Sequence, residues 1–201
     1  MKNWLIFDAM GVIFTVSDDV KDLLIPFRGE HRSSDEKTRD LYIKASLGQL
    51  SSKQFWLSLG FENWQETEKE YLSTYTLDSN FIKTAEKLSQ TYNLAMFSND
   101  VSEWSAHLRE KHNLNRLFKA VIISGDVGFR KPNKEIYEIL LSKISAPASN
   151  CIFVDDNSKI LLPAKEIGMK TILFNRNKAD TEGFKSIDNF GELNSYLNMI
   201  K

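Results

Sequence analysis

One cysteine stands in 201 residues, Cys151. A single thiol cannot close an intramolecular disulfide, so a disulfide-stapled scaffold is excluded. Its place between Asn150 and Ile152, at the head of an apolar run, predicts a buried, reduced group. An excess of either charge is missing too: 26 Lys and Arg against 27 Asp and Glu leave a formal net charge of −1. That balance provides no general attraction to nucleic acid or to an anionic membrane, and the pair Arg130-Lys131 does not extend into a basic stripe. No apolar stretch approaches the length of a bilayer span, and the opening MKNWLIFDAMG lacks the apolar core and cleavage site of a secretory leader. The expectation is a cytoplasmic protein that engages neither membrane nor nucleic acid. The histidines, His31, His107 and His112, form no compact metal-ligand motif, and the chain has neither internal repeat nor low-complexity tract.

What is present suffices for a sizeable core. With 42% hydrophobic residues, a chain of this length buries about 70% of the surface its extended form exposes. Apolar runs at 4–7, 94–97, 120–123, 151–154 and 170–174 read as strands, continuous rather than alternating because helices cover both faces of a parallel sheet. Helical patterns lie between the later runs. Asp100-Val101-Ser102-Glu103 reads as a capping box, Asn133 opens a helix carrying Ile136, Leu140 and Ile144, and Leu193, Leu197 and Ile200 share one face of a terminal helix. Residues 15–88 read as helices without a strand: Ser33 with Glu36, Ser51 with Gln54 and Asn63 with Glu66 are start signals. The expected fold is α/β, a Rossmann-like parallel sheet core (residues 1–14 and 89–201) with a helical cap (residues 15–88) inserted after the first strand. Phe55, Trp56, Phe61 and Trp64 are expected to pack the interior of that cap.

Four strand ends carry the polar residues. The first run delivers Asp8, the second Ser98-Asn99-Asp100, the third is followed by Lys131-Pro132, and the fourth delivers Asp155-Asp156. In an open α/β sheet the carboxyl ends of neighbouring strands form the ligand crevice, so these residues can converge. A carboxylate nucleophile at Asp8 could attack a phosphoryl group. Mg2+, a hard cation bound by carboxylates and substrate oxygens, would be shared by Asp8 and the Asp155/Asp156 pair, with Lys131 balancing the charge. Ser98 and Asn99 would donate hydrogen bonds to phosphate oxygens. Pro132 and Asn133 place Lys131 at a rigid junction, and Asn157 and Ser158 can cap the following helix.

This order of residues closely resembles the haloacid dehalogenase-like hydrolases, a superfamily dominated by magnesium-dependent phosphatases that work through a phosphoaspartate. The resemblance implies that Asp8 is the nucleophile, Ser98 the phosphate-binding hydroxyl, Lys131 the conserved lysine, and Asp155 with Asp156 the acidic metal motif. The helical insert after Asp8 resembles the family's first-position cap, which closes over the core and helps select substrate. The implied substrate is a small phosphorylated molecule, and a protein partner is left open.

Met10 departs from the pattern. Phosphatases of this family carry a second aspartate there, which protonates the leaving oxygen and later helps activate water. A thioether cannot transfer a proton, although the Met10 main-chain carbonyl could still coordinate Mg2+. Slow turnover, restriction to activated phosphates, or recruitment of another acid such as Asp18 or Asp19 would each follow from the substitution. Ile160 also stands where relatives often present a polar residue. Two other readings share the scaffold: a catalytically inactive phosphate-ligand binding or regulatory protein, and a haloacid dehalogenase.

Overall fold

The computed structural model describes residues 2–29, 33–178, 181 and 183–199, so His31 and Ile200 lie outside the described residues. β1 (Trp4–Phe7) is followed by a wide helical turn (Val20–Leu24) that runs on as α1 (Ile25–Arg28). Next come α2 (Asp35–Ala45), α3 (Ser52–Ser58), α4 (Trp64–Ser73) and α5 (Phe81–Ser89). β2 (Asn93–Ser98), α6 (Ser102–Lys111), β3 (Ala120–Ile123), α7 (Ser124–Val127) and α8 (Lys134–Ile144) follow. The chain closes with β4 (Cys151–Asp155), α9 (Ser158–Glu166), β5 (Lys170–Phe174), β6 (Ser186–Ile187) and α10 (Phe190–Met199).

The strands form one parallel sheet in the order β3-β2-β1-β4-β5-β6, the α/β architecture expected, with a helical insert after β1. Every strand from β1 to β5 reads as an apolar run because successive side chains enter opposite, equally dry layers. Leu5 and Phe7 join Phe81, Leu88, Phe190 and Leu193 of α5 and α10, whereas Ile6 joins Ile136, Leu140, Leu161 and Ala164 of α8 and α9. Cys151 is fully buried and free, as expected. β6 was not expected, since two residues carry no periodicity.

Inside the insert the aromatic residues pack edge to face. Trp56 meets Phe55 at 5.1 Å, Phe61 at 5.4 Å and Tyr71 at 5.4 Å between ring centroids, so Phe55 and Trp56 are core as expected. Trp104 of α6 enters the same cluster, 5.0 Å from Tyr71, and Glu68 accepts a hydrogen bond from both Trp56 Nε1 (3.1 Å) and Trp104 Nε1 (2.8 Å). Insert and sheet unit thereby share one continuous apolar core. α5, which begins within 15–88, packs on the sheet: Phe81 lies 5.7 Å from the Phe7 ring and 5.4 Å from Phe190.

Helix starts follow local hydrogen bonding. Ser51 and Gln54 form the expected reciprocal capping box, and Asn157 accepts from Lys159 N at 3.0 Å. α2 is capped by Ser34, accepting from Lys37 N at 3.1 Å, rather than by Ser33. The expected capping box at Asp100 is absent: Asp100 Oδ1 accepts from the adjacent Val101 N (2.7 Å), and Glu103 reaches away to Ser52 N (3.2 Å) in the insert.

Candidate active site

Parallel register sets the centre of the site. Phe7 pairs with Val154 across β1 and β4, and Asp8 N donates to Val154 O at 2.9 Å, so Asp8 and Asp155 leave adjacent strands side by side. Lys131 enters between them. Its Nζ donates to Asp8 Oδ1 at 2.7 Å, to Asp155 Oδ2 at 2.7 Å and to Phe97 O at 2.9 Å, and lies 5.1 Å from the centroids of the Phe97 and Phe153 rings. Burial alone would favour the neutral amine, but the carboxylates of Asp155 and Asp8 outweigh it and raise the lysine above its usual range.

Asp156 completes a group of three carboxylates. One oxygen each from Asp8, Asp155 and Asp156 lie within 4.8 Å of one another. Burial pushes Asp155 up to about 6, against the lowering influence of Lys131, and pushes Asp156 up to about 7, aided by the charges of Asp8 and Asp155. Gly11 makes room for this packing. Its φ is +74°, and a Cβ there would stand 1.9 Å from Asp156 Oδ2. Arg176, a residue with no motif around it, fixes the same loop by donating to Gly11 O (3.0 Å) and Val12 O (2.7 Å) while paired with Asp78 at 2.6 Å.

A cavity of about 370 Å³ opens over this centre, and Asp8, Met10, Ser98, Lys131, Asp155, Asp156 and Ile160 line it. Ser98 Oγ is buried there with no hydrogen-bond partner, an uncompensated donor facing a polar cavity. Asn99 lines the cavity as well, and its side chain accepts from Lys131 N (2.7 Å) and donates to Lys131 O (2.9 Å), bracing the backbone of the lysine. Met10 reaches the cavity with 6% of its surface exposed. Arg130 bonds Ser46 Oγ and lies over the Tyr42 ring at the cavity wall.

The insert contributes two acids of different character. Asp18 is exposed and caps Lys21 N at 2.9 Å, whereas Asp19 is buried, accepting from Tyr75 Oη at 2.9 Å and Tyr42 Oη at 3.4 Å, and also lines the cavity. Burial pushes Asp19 up to about 6.

Comparison with known proteins agrees with this geometry. The family model described as haloacid dehalogenase-like hydrolase matches residues 30–174, a span that takes in Ser98, Lys131, Asp155 and Asp156 but begins after Asp8 and Met10. The sesquiterpene phosphatase astK of Aspergillus oryzae is 40% identical over 62 residues, 31% of this chain and 32% of that protein. The chain spans 11% to 32% of the first curated relatives it matches. In fold, the chain is similar to a HAD phosphatase from Thermococcus onnurineus (TM-score 0.73, 20% identity, 98% of both chains). It is also similar to L-2-haloacid dehalogenase from Xanthobacter autotrophicus (TM-score 0.72, 15% identity, 100% of both chains). Among the described residues, no helix is long and apolar enough to cross a membrane.

Proposed function

The chain belongs to the haloacid dehalogenase-like hydrolases, and from that premise we propose that it is a capped, magnesium-dependent phosphohydrolase acting on a small phosphorylated metabolite through an aspartyl-phosphate at Asp8. The convergence of three carboxylates within 4.8 Å, beside a buried ammonium that bonds two of them, carries this reading. Structural carboxylates crowd in this way only at a cost in desolvation and repulsion, which a bound cation and a phosphoryl group would relieve.

The donor set suits Mg2+: hard oxygen atoms from Asp8, Asp155 and Asp156, which the Met10 main-chain carbonyl would supplement. Two of those acids are held well above the usual carboxylate range by burial, so a divalent cation would favour their ionised forms. Bound there, Mg2+ would polarise the phosphoryl oxygens and offset charge developing on them. In this reading Lys131 orients Asp8 by holding Oδ1, leaving the second oxygen to attack phosphorus in line with the departing group. Ser98 Oγ donates to a nonbridging oxygen, replacing the partner it lacks. Asn99, at the cavity wall, braces the Lys131 backbone. The insert serves as the cap, with residues 15–88 as its working limits and α5 as the part that anchors it to the sheet.

A screen of phosphate esters and acyl phosphates with added Mg2+ tests the assignment. Phosphate release that chelator abolishes, and that falls to background in Asp8→Asn, is the expected result. Unchanged turnover in Asp8→Asn would remove the nucleophile. Halide release from 2-haloacids that persists in chelator would move the chain to the dehalogenases. Met10 favours a second reading, a phosphate-ligand binding or regulatory protein, for which calorimetry would detect phosphate affinity without turnover.

A further inference from the structure

We infer that Asp19, at the entrance to the insert, is the proton donor and acceptor for this site, a role the Met10 side chain cannot fill; the inference rests on the phosphohydrolase reading above. The need arises from the chemistry of Met10, since a thioether has no proton to give. Asp19 answers it from the wall of the cavity that both residues line. The hydroxyl of Tyr42 ties Asp19 to the strand-end platform, lying 3.4 Å from Asp19 Oδ2 and 3.4 Å from the carbonyl oxygen of Asn99, the residue after Ser98.

Asp155 and Asp156 also line the cavity but belong to the strand-end cluster around Lys131, and the other neighbouring acids lack this combination of burial and access. Asp18 is exposed and engaged as a helix cap. Asp100 is buried against Val101 N and does not line the cavity. Asp19 is 6% exposed, borders the cavity, and makes no ion pair among the described residues.

Its surroundings raise its affinity for a proton. From its own segment Asp18 faces it; from α2 come Tyr42 and, at the cavity wall, Arg39; from α4 and the residues after it come Tyr71 and Tyr75; from the sheet unit come Asp100 and Arg130. Burial and Asp18 raise Asp19, Tyr75 and Arg130 lower it, and the balance stands at about 6. The tyrosines are raised well above their usual range by burial and by Asp19, so they remain donors. Tyr71 and Tyr75 hydroxyls lie 2.6 Å apart, extending the chain of hydroxyls behind the carboxyl group. A carboxyl group balanced near the working pH can both give and take a proton efficiently.

The step is complete in its atoms. Asp8 oxygen forms a bond to phosphorus as the bond from phosphorus to the ester oxygen breaks, and the Asp19 proton passes to that oxygen, releasing an alcohol. Water then bonds to phosphorus as the Asp8 to phosphorus bond breaks, and a proton of that water returns to Asp19.

The test compares kcat/KM for glycerol phosphate, whose leaving group needs a proton, with that for p-nitrophenyl phosphate, whose leaving group does not. Asp19→Asn is expected to lose about 10²–10⁴-fold on the first and less than about tenfold on the second. Retained nitrophenyl turnover reports that the variant is folded, and adding Met10→Asp to Asp19→Asn is expected to restore glycerol phosphate turnover. Asp18→Asn is expected to show no leaving-group-dependent loss. An equal loss on both esters, or an unchanged glycerol phosphate rate, overturns the role of Asp19 while leaving the hydrolase intact. Wild-type protein silent toward both esters overturns the hydrolase reading and the proton donor with it.

Discussion

Two buried carboxylate environments border one cavity, and they are built in opposite ways. At the strand ends, Asp8 and Asp155 share a buried ammonium at 2.7 Å each, and main-chain register sets their spacing. At the insert, Asp19 sits among neutral hydroxyls, at 2.9 Å from Tyr75 and 3.4 Å from Tyr42, and packing sets the spacing. Burial raises a carboxyl group in each, Asp155 and Asp19 both to about 6, but only at the strand ends does a buried ammonium oppose the rise; at the insert hydroxyls take its place. The first arrangement suits a nucleophile and a cation site; the second suits proton transfer.

Removing the lysine should break the first environment most severely. Lys131→Met leaves Asp8, Asp155 and Asp156 without their buried counter-charge, and loss of one partner of such a group costs about 3–5 kcal/mol. Because Lys131 lowers Asp155, the variant is expected to lose more stability at pH 8, where the acids are ionised, than at pH 5. Urea denaturation at the two pH values measures this. A loss below about 1 kcal/mol at pH 8 would mean that the strand-end acids are already relieved by water or protons.

The same contrast explains what could be read from sequence. Asp8, Ser98 and Asp155 were legible because each ends or follows a continuous apolar run, and a parallel sheet brings such ends together whatever the intervening chain does. The brace by Asn99 was not legible, since its partner lies 32 residues away and an Asn beside a Ser reads equally well as a ligand for phosphate. Asp19 could not be told from Asp18 in sequence because Tyr42, Tyr71 and Tyr75, which surround it, come from distant segments whose packing no periodicity specifies. Ser34 took the cap expected of Ser33 because adjacent serines carry the same signal. Arg176 gave no signal at all, since it acts on main-chain carbonyls 164 and 165 residues earlier.

A smaller effect is expected where the strand-end cluster depends on a neutral side chain. Asn99→Ala leaves the Lys131 amide and carbonyl without partners, a cost of about 1–3 kcal/mol, and frees the lysine to drift from Asp8. Turnover is expected to fall through kcat rather than KM, because binding groups remain while the nucleophile loses its orientation. An increase in KM at constant kcat would instead return Asn99 to direct substrate contact.

The smallest effect should separate the two environments by pH. Tyr75→Phe removes the 2.9 Å hydrogen bond to Asp19 and leaves Tyr71 without its 2.6 Å partner. The Tyr71 loss is the same at every pH, about 1 kcal/mol. The Asp19 loss is not. Its folded-state value of about 6 lies above the usual 3.8, so its contribution to stability is greatest below pH 4 and is lost as pH rises through 6. The Tyr75 hydroxyl lowers that value, so removing it raises Asp19 further and deepens the loss only where the carboxyl group must ionise. Urea midpoints should therefore fall more at pH 8 than at pH 4.5, by roughly a further 1 kcal/mol for a hydrogen bond to a charged acceptor. Equal losses at both pH values would mean that Asp19 stays in one protonation state throughout, erasing the distinction between the two carboxylate environments.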